Sequence, residues 1–357
     1  MSELTNHSTD RTNLRTTLLA TVCGAALFTA LCTASPVMAS DGDADHPIIW
    51  GELGGEFMQL ENGQEAYLPP FVLVTPRIPA ITQSPLYTEK NAPMSWDGDA
   101  KISFEPSGTD WVFSAGIRYG RDTTNKSLNQ RTTHNSGGNP VAYGYNAYQN
   151  LTAKNAESHM VLDFRAGKDV GLGRFGSGGS SIISLGVRYA QFDSRSNVGV
   201  RYQPTNSYRH YHRLYGSFTA ARKFIGIGPS LSWDASADLI GNPQESRVSL
   251  DWGLNGAVLF GRQRTDVHHQ TSNFYITPTY KGLVTHTAAS PNRSKQMIVP
   301  NLGGFTGVSL RYPNAKVSIG YRADMFFGVI DGGVNTHKSE DRGFYGPFAS
   351  ISIGVGG

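Results

Sequence analysis

Cysteine is nearly absent from this chain. Its 357 residues hold two, Cys23 and Cys32, and both fall in an N-terminal stretch that reads as a removable signal. The rest has no thiol, which excludes a disulfide framework and a thiolate metal site there. Long apolar runs are equally scarce. After Ala39 no segment approaches the roughly 20 apolar residues that a membrane-crossing helix needs, so a helical membrane protein is excluded. An excess of either charge is missing too. Lys and Arg number 31 against 28 Asp and Glu, a net charge of +3, and nothing in that balance points to nucleic acid.

The N-terminal stretch carries Arg11 and Arg15, then an apolar run from Leu18 to Leu31. Small residues follow, and Val37-Met38-Ala39 before Ser40 fits a signal-peptidase site. Residues 1–39 are therefore expected to be a cleaved secretory signal, and 40–357 a single exported domain. Such a chain must be held by burial and by sheet hydrogen bonds.

What the exported part does have is alternation. From Arg247 to Gly261 the positions Val248, Leu250, Trp252, Leu254, Val258 and Phe260 are apolar, and those between are polar or small, with Leu259 the exception. A period of two means an extended strand with one oily and one wet face. Strands of soluble sandwiches run about 5–6 residues, whereas a strand tilted across a bilayer takes about 9–11. The pattern recurs along the chain: 48–58, 99–105, 111–120, 159–167, 183–190, 213–220, 226–233, 302–312, 316–327 and 344–355. With 247–261 that makes eleven, and Gln263–Tyr275 becomes the twelfth on the rule that single-chain bacterial barrels have even strand numbers.

Links between these strands sort by length. Pro106–Thr109, Val170–Gly179, Lys223–Ile225 and Pro313–Asn314 read as short turns, alternating with long connections. The two longest loops are expected at 61–96, which contains Pro69, Pro70, Pro76, Pro79, Pro85 and Pro93, and at 121–156. Ser236–Glu245 and Lys281–Lys295 read as further loops. The expected fold is all-β, a transmembrane antiparallel up-and-down barrel of about 12 strands (10–14) in the outer membrane of a Gram-negative bacterium. Its partners would be outer-membrane lipid and the barrel assembly machinery.

The wet face is expected to line the lumen. It carries Lys101, Arg118, Arg165, Arg188, Arg213, Arg247, Lys316 and Arg322, against Glu52, Glu56, Asp99, Glu105, Asp163, Asp251 and Asp324, with Asn255 among them. Charges are tolerated inside a protein only when paired or hydrated. This set makes either a salt-bridged plug or a narrow wet pore for small hydrophilic solutes.

Catalytic chemistry has little to rest on. No Gly-x-Ser-x-Gly, His-Glu-x-x-His or P-loop pattern occurs. The ten histidines fall mostly in expected loops or at strand ends. His268 and His269, adjacent on one strand, point to opposite faces and read as solvated. No cofactor and no enzyme activity are expected.

Three stretches carry a family resemblance: His159–Gly173 (HMVLDFRAGKDVGLG), Leu185–Ala190 (LGVRYA) and Phe224–Trp233 (FIGIGPSLSW). They are similar to the Legionella-type major outer-membrane proteins and to outer-membrane barrels of α-proteobacteria. The resemblance implies a porin-like passive channel or a structural surface protein. An adhesion or binding role through the long outer loops is the alternative. The Legionella-type proteins are cysteine-linked, and the exported part here has no cysteine. Many barrels also end on an aromatic residue, whereas this sequence ends Ile353-Gly-Val-Gly-Gly357.

Overall fold

The computed structural model describes residues 48–61, 94–128, 150–170, 180–202, 211–242, 245–276 and 281–355. The expected signal and the middles of the loops expected at 61–96 and 121–156 lie outside the described residues. Eleven strands make up nearly all of the rest: β1 (Ile48–Glu61), β2 (Met94–Glu105), β3 (Trp111–Leu128), β4 (Asn150–Asp169), β5 (Ser180–Tyr202), β6 (Tyr211–Asn242), β7 (Ser246–Ile276), β8 (Lys281–Ala289), β9 (Asn292–Tyr312), β10 (Ala315–Asp331) and β11 (Ser339–Val355).

All pairings are antiparallel. The order runs β6-β5-β4-β3-β2-β1-β11-β10-β9-β7, and β6 also pairs with β7. That last ladder closes a ring of ten strands, which leaves no sheet edge within the ring. The eleventh, β8, stands outside the ring. It pairs with the far end of β7, from His269 to Ile276, beyond the point where β9 pairs with Asp266.

The ring therefore has ten strands where twelve were expected, and two mergers account for the difference. Gln263–Tyr275 is not a separate strand but the continuation of β7. Lys223–Ile225 is not a turn; it lies mid-way along β6, with Lys223 facing Arg264 and Ile225 facing Arg262 in an unbroken ladder. All four expected loops also contain strand: the one at 61–96 holds the end of β1 at Glu61 and the start of β2 at Met94–Trp96. β6 runs through Ser236 to Asn242, Lys281–Lys295 supplies β8 and the start of β9, and β3 and β4 extend into 121–128 and 150–156.

The outer face explains the misreading of Lys223–Ile225. Ile298, Leu302, Val308 and Leu310 of β9, Val317 and Ile319 of β10, and Leu254 and Phe260 of β7 are all exposed on the outside, Leu254 by 56 %. Together they form the apolar belt that a bilayer covers. Along β6 the exposed positions Ile225, Ile227, Leu231 and Trp233 belong to the belt, with Gly226, Ser230 and Ser232 inward. Above Phe224 the sense inverts. Gly216, Phe218 and Ala220 are buried inside, and Ser217 and Thr219 are exposed. The sequence expectation had these faces the other way round. Where the outside is lipid, apolar residues turn out; where it is water, they turn in. Two apolar residues in succession, Phe224 and Ile225, mark the level at which one regime gives way to the other.

Ile48, Val355, the β2–β3 link and the β9–β10 link lie at one end of the barrel. The β2–β3 link is a tight turn, with Gly108 at φ 68° and the Thr109 hydroxyl donating to the Pro106 carbonyl at 3.1 Å. Pro313 and Asn314 join β9 to β10, and the Asn314 carbonyl accepts the Gly354 N–H at 2.9 Å.

Candidate functional site: the barrel lumen

The lumen is layered, and the layers follow from what each strand places inward at each height. At the short-turn end serines alternate with charged side chains such as Glu52, Lys101, Arg311 and Lys316. Ser103, Ser114, Ser236, Ser318, Ser350 and Ser352 are among those facing a cavity of about 820 Å³. Small side chains cannot meet across a ten-stranded ring, so a vestibule remains. Its rim carries Ile48, Trp50, Trp111 and Tyr312, and it reaches inward to Arg118, Asp163, Arg188, Asn255 and Arg322.

Those deep residues form a charged tier that ties opposite walls together. Arg188 of β5 is fully buried. It donates from Nε to Asp163 Oδ1 at 2.8 Å and from Nη2 to Oδ2 at 3.0 Å. Its Nη1 also reaches across to the Asn255 side-chain carbonyl of β7 at 2.8 Å and to that of Asn301 on β9. Arg118 of β3 pairs with Asp324 of β10, and Arg322 of β10 pairs with Glu56 of β1. Arg322 also lies over the rings of Phe305 and Phe348, so its charge faces both a carboxylate and two π-faces.

The remaining expected lumen residues fall lower or at the side. Arg165 donates to Asp163 Oδ2 at 2.9 Å and lies 4.0 Å from Asp234. Asp251 accepts Arg311 at 2.6 Å and lies 2.8 Å from Lys316 Nζ. Arg247 donates to Asp238 at 2.9 Å. Arg213 sits in β6 opposite Phe274, and its side chain lies outside those described. Nine of the ten expected residues thus point into one lumen, and eight of them take part in an ion pair. Asn255 instead accepts the neighbouring guanidinium.

Above the charged tier the lumen turns apolar. Met58, Leu60, Val161, Ala190, Phe192, Phe224, Ala257, Leu259, Val299, Phe326, Val329, Ile330 and Phe344 form one buried cluster. Phe192 meets Phe326 edge-on at 4.8 Å between centroids, and His159 lies against Phe344 at 4.1 Å. His159 is held by Asp97 at 3.1 Å. Leu259, the exception in the alternation of β7, is fully buried in this cluster. The plug is made of wall side chains, and it crosses the lumen.

A second polar tier caps the plug. Arg342 of β11 donates from Nε to Glu157 Oε2 of β4 at 3.2 Å, again across the barrel. Sequence reading missed this tier and the plug. A signal for the plug exists, in apolar doublets such as Met160-Val161, Phe224-Ile225, Leu259-Phe260, Ile298-Val299 and Phe326-Phe327. In a strand, a doublet turns one apolar side chain to each face.

The two adjacent histidines do point to opposite faces. His268 is exposed beside Ser290, but His269 is buried and meets Asn335 at 2.9 Å, which corrects its reading as solvated. Among the described residues, no group of three His, Cys, Asp or Glu is placed to hold a metal ion.

No family model matches the chain, and no curated protein matches it either. Solved structures do show a likeness. The translocator domain of the autotransporter NalP from Neisseria meningitidis is 7 % identical, covering 95 % of this chain and 96 % of that one, with a TM-score of 0.24. The transport unit of the autotransporter AIDA-I from Escherichia coli is 9 % identical, with coverages of 90 % and 94 % and a TM-score of 0.22. The toluene transporter TodX of P. putida is 8 % identical, with coverages of 90 % and 92 % and a TM-score of 0.22. Likenesses of that size say nothing about what this chain does.

Proposed function

We propose that this protein is a non-enzymatic outer-membrane barrel serving as a narrow, porin-like passage for small hydrophilic solutes, shut in the conformation described. The vestibule carries this reading. A cavity of about 820 Å³ lined by many polar residues, opening at the short-turn end and ending on paired charges, is what a solute path needs. A barrel built only as a scaffold has no use for it, since small barrels fill their interiors with side chains. The apolar belt supports residence in outer-membrane lipid, reached through the barrel assembly machinery. The resemblance to Legionella-type outer-membrane proteins agrees with both.

A second reading, a surface protein acting through its far end, is favoured by the cross-lumen ties Arg118–Asp324 and Arg342–Glu157. Planar-bilayer recording separates the two. The passage predicts brief, small openings of the refolded wild-type protein and frequent ones after Phe192→Ala with Phe344→Ala. Silence of both, with both barrels folded, would leave the surface role.

A further inference from the structure

One part of the plug is built differently from the rest. Along β10 the alternation holds to Phe327, then Val329, Ile330 and Asp331 are buried in succession. The β10–β11 ladder slips between Phe326 and Ile330, and Gly328 in the slip has φ 66°, a conformation that favours glycine. This is a β-bulge, and it turns the end of the strand into the lumen. β10 touches β6 and β7, neither of which is its ladder neighbour, and Gln263 of β7 bonds it at Gly328.

The link that follows, residues 332–338, is tied down from the same side. Arg293 of β9 donates to Asp331 at 2.9 Å, to the Val334 carbonyl at 2.8 Å and to the Gly333 carbonyl at 2.7 Å. Arg222 of β6 donates to the Gly332 carbonyl at 3.2 Å. Gln263 of β7 donates to the Gly328 carbonyl at 2.6 Å and meets His337 at 3.2 Å, and His269 meets Asn335. Nearly all of these bonds end on the strap's own backbone carbonyls or side chains, and three separate strands supply them. The other plug residues, such as Phe192 and Leu259, sit in regular ladders and cannot leave without breaking the ring. The bulged end of β10 and its strap can, because only side-chain bonds and the β11 pairing beyond the slip hold them.

We infer that the segment from Gly328 to Lys338 is the movable gate of the lumen, hinged at the Gly328 bulge and latched by Arg222, Gln263, His269 and Arg293. Swinging it outward withdraws Val329 and Ile330 from the apolar plug and opens the level where water is excluded. The inference rests on the channel reading of the preceding section.

The test uses the full chain with Cys23 and Cys32 replaced by Ser, so that added thiols are the only ones. His269→Cys with Asn335→Cys, joined after folding by a short bis-methanethiosulfonate, each thiolate displacing a methanesulfinate to form a disulfide, should abolish the openings, and reduction of those disulfides should restore them. Arg293→Gln with Gln263→Ala should raise the open probability by about tenfold or more, since charged and buried bonds of the latch are lost. Heat-modifiability on gels confirms that each barrel is folded. Unchanged openings in the cross-linked protein overturn the gate while leaving the channel. So does a latch variant that behaves as wild type while Phe192→Ala with Phe344→Ala conducts. Silence of every variant, the phenylalanine pair included, removes the channel and the gate together.

Discussion

Arg188 and Asp163 face each other across one rung of the β4–β5 ladder and are joined by two parallel hydrogen bonds of 2.8 and 3.0 Å. The arginine also donates to Asn255 and Asn301, so one guanidinium ties four strands at one height. Removing it takes two hydrogen bonds from Asp163, which keeps Arg165, and takes the shared donor from Asn255 and Asn301. Arg188→Ala should lower the stability of the folded barrel by about 1.5–3 kcal/mol, measured by urea unfolding from vesicles. Arg188→Lys should recover little, because a point charge cannot reproduce the planar fork. Full recovery by lysine would mean that charge alone matters at this site.

The belt predicts an asymmetry between faces. Leu254 lies outside near the middle of the belt, between Trp233 and Gly304 in the ladders. Leu254→Arg should cost about 2–4 kcal/mol and hinder assembly. Ser352→Arg should be tolerated, since Ser352 faces the vestibule and already bonds Glu52 at 3.2 Å. Equal assembly yields for the two variants would contradict the inside–outside assignment.

The inversion along β6 makes a second pair of substitutions diagnostic. Thr219→Arg, outside but above the belt, should change stability by no more than about 0.5 kcal/mol. Phe218→Ala, one residue away and 1 % exposed, should cost about 3–5 kcal/mol through the cavity it leaves. Thermal unfolding of both variants checks this. If the arginine variant is the less stable, lipid reaches higher on the wall than the belt implies.

Acid should loosen the strap. Asp331 lies at the height of Arg293, beyond the apolar belt, where Asn292 and Ser294 face outward and exposed. Burial alone would raise its carboxyl, but hydrogen bonds from Arg293 and from the Lys338 and Gly333 N–H groups outweigh that and hold it below the ordinary 3.8. A lowered carboxylate contributes stability that is complete above the ordinary value and disappears as pH falls through the lowered one. Protease resistance of the strap should therefore be flat down to about pH 4 and fall below it. In Asp331→Asn the strap should be weak at every pH, with that acid-linked step gone.

Alternation by itself determined a great deal about this protein. Leu254 out and Asn255 in, Ile319 out and Ser318 in, follow from a period of two without knowledge of any neighbour, because side chains on a strand must alternate. The closed antiparallel barrel, its apolar exterior and the inward placement of Arg118, Asp163, Arg188, Arg322 and Asp324 were legible from that rule. Strand number was not. Periodicity reports which residues share a face, but it does not report what lies beyond the face. At Phe224 and Ile225 the surroundings change from lipid to water, the pattern inverts, and one strand looks like two. Only the ladders show that β6 runs straight through. The partners of each charge were equally beyond reach: Arg118 and Asp324 are 206 residues apart in the chain, and the closure of the ring alone brings them together. The same holds for the bulge at Gly328, since a glycine in a strand says only that a bend is permitted. The partners that hold the turned segment, Arg222, Gln263 and Arg293, stand on three other strands and meet it only after the barrel has closed.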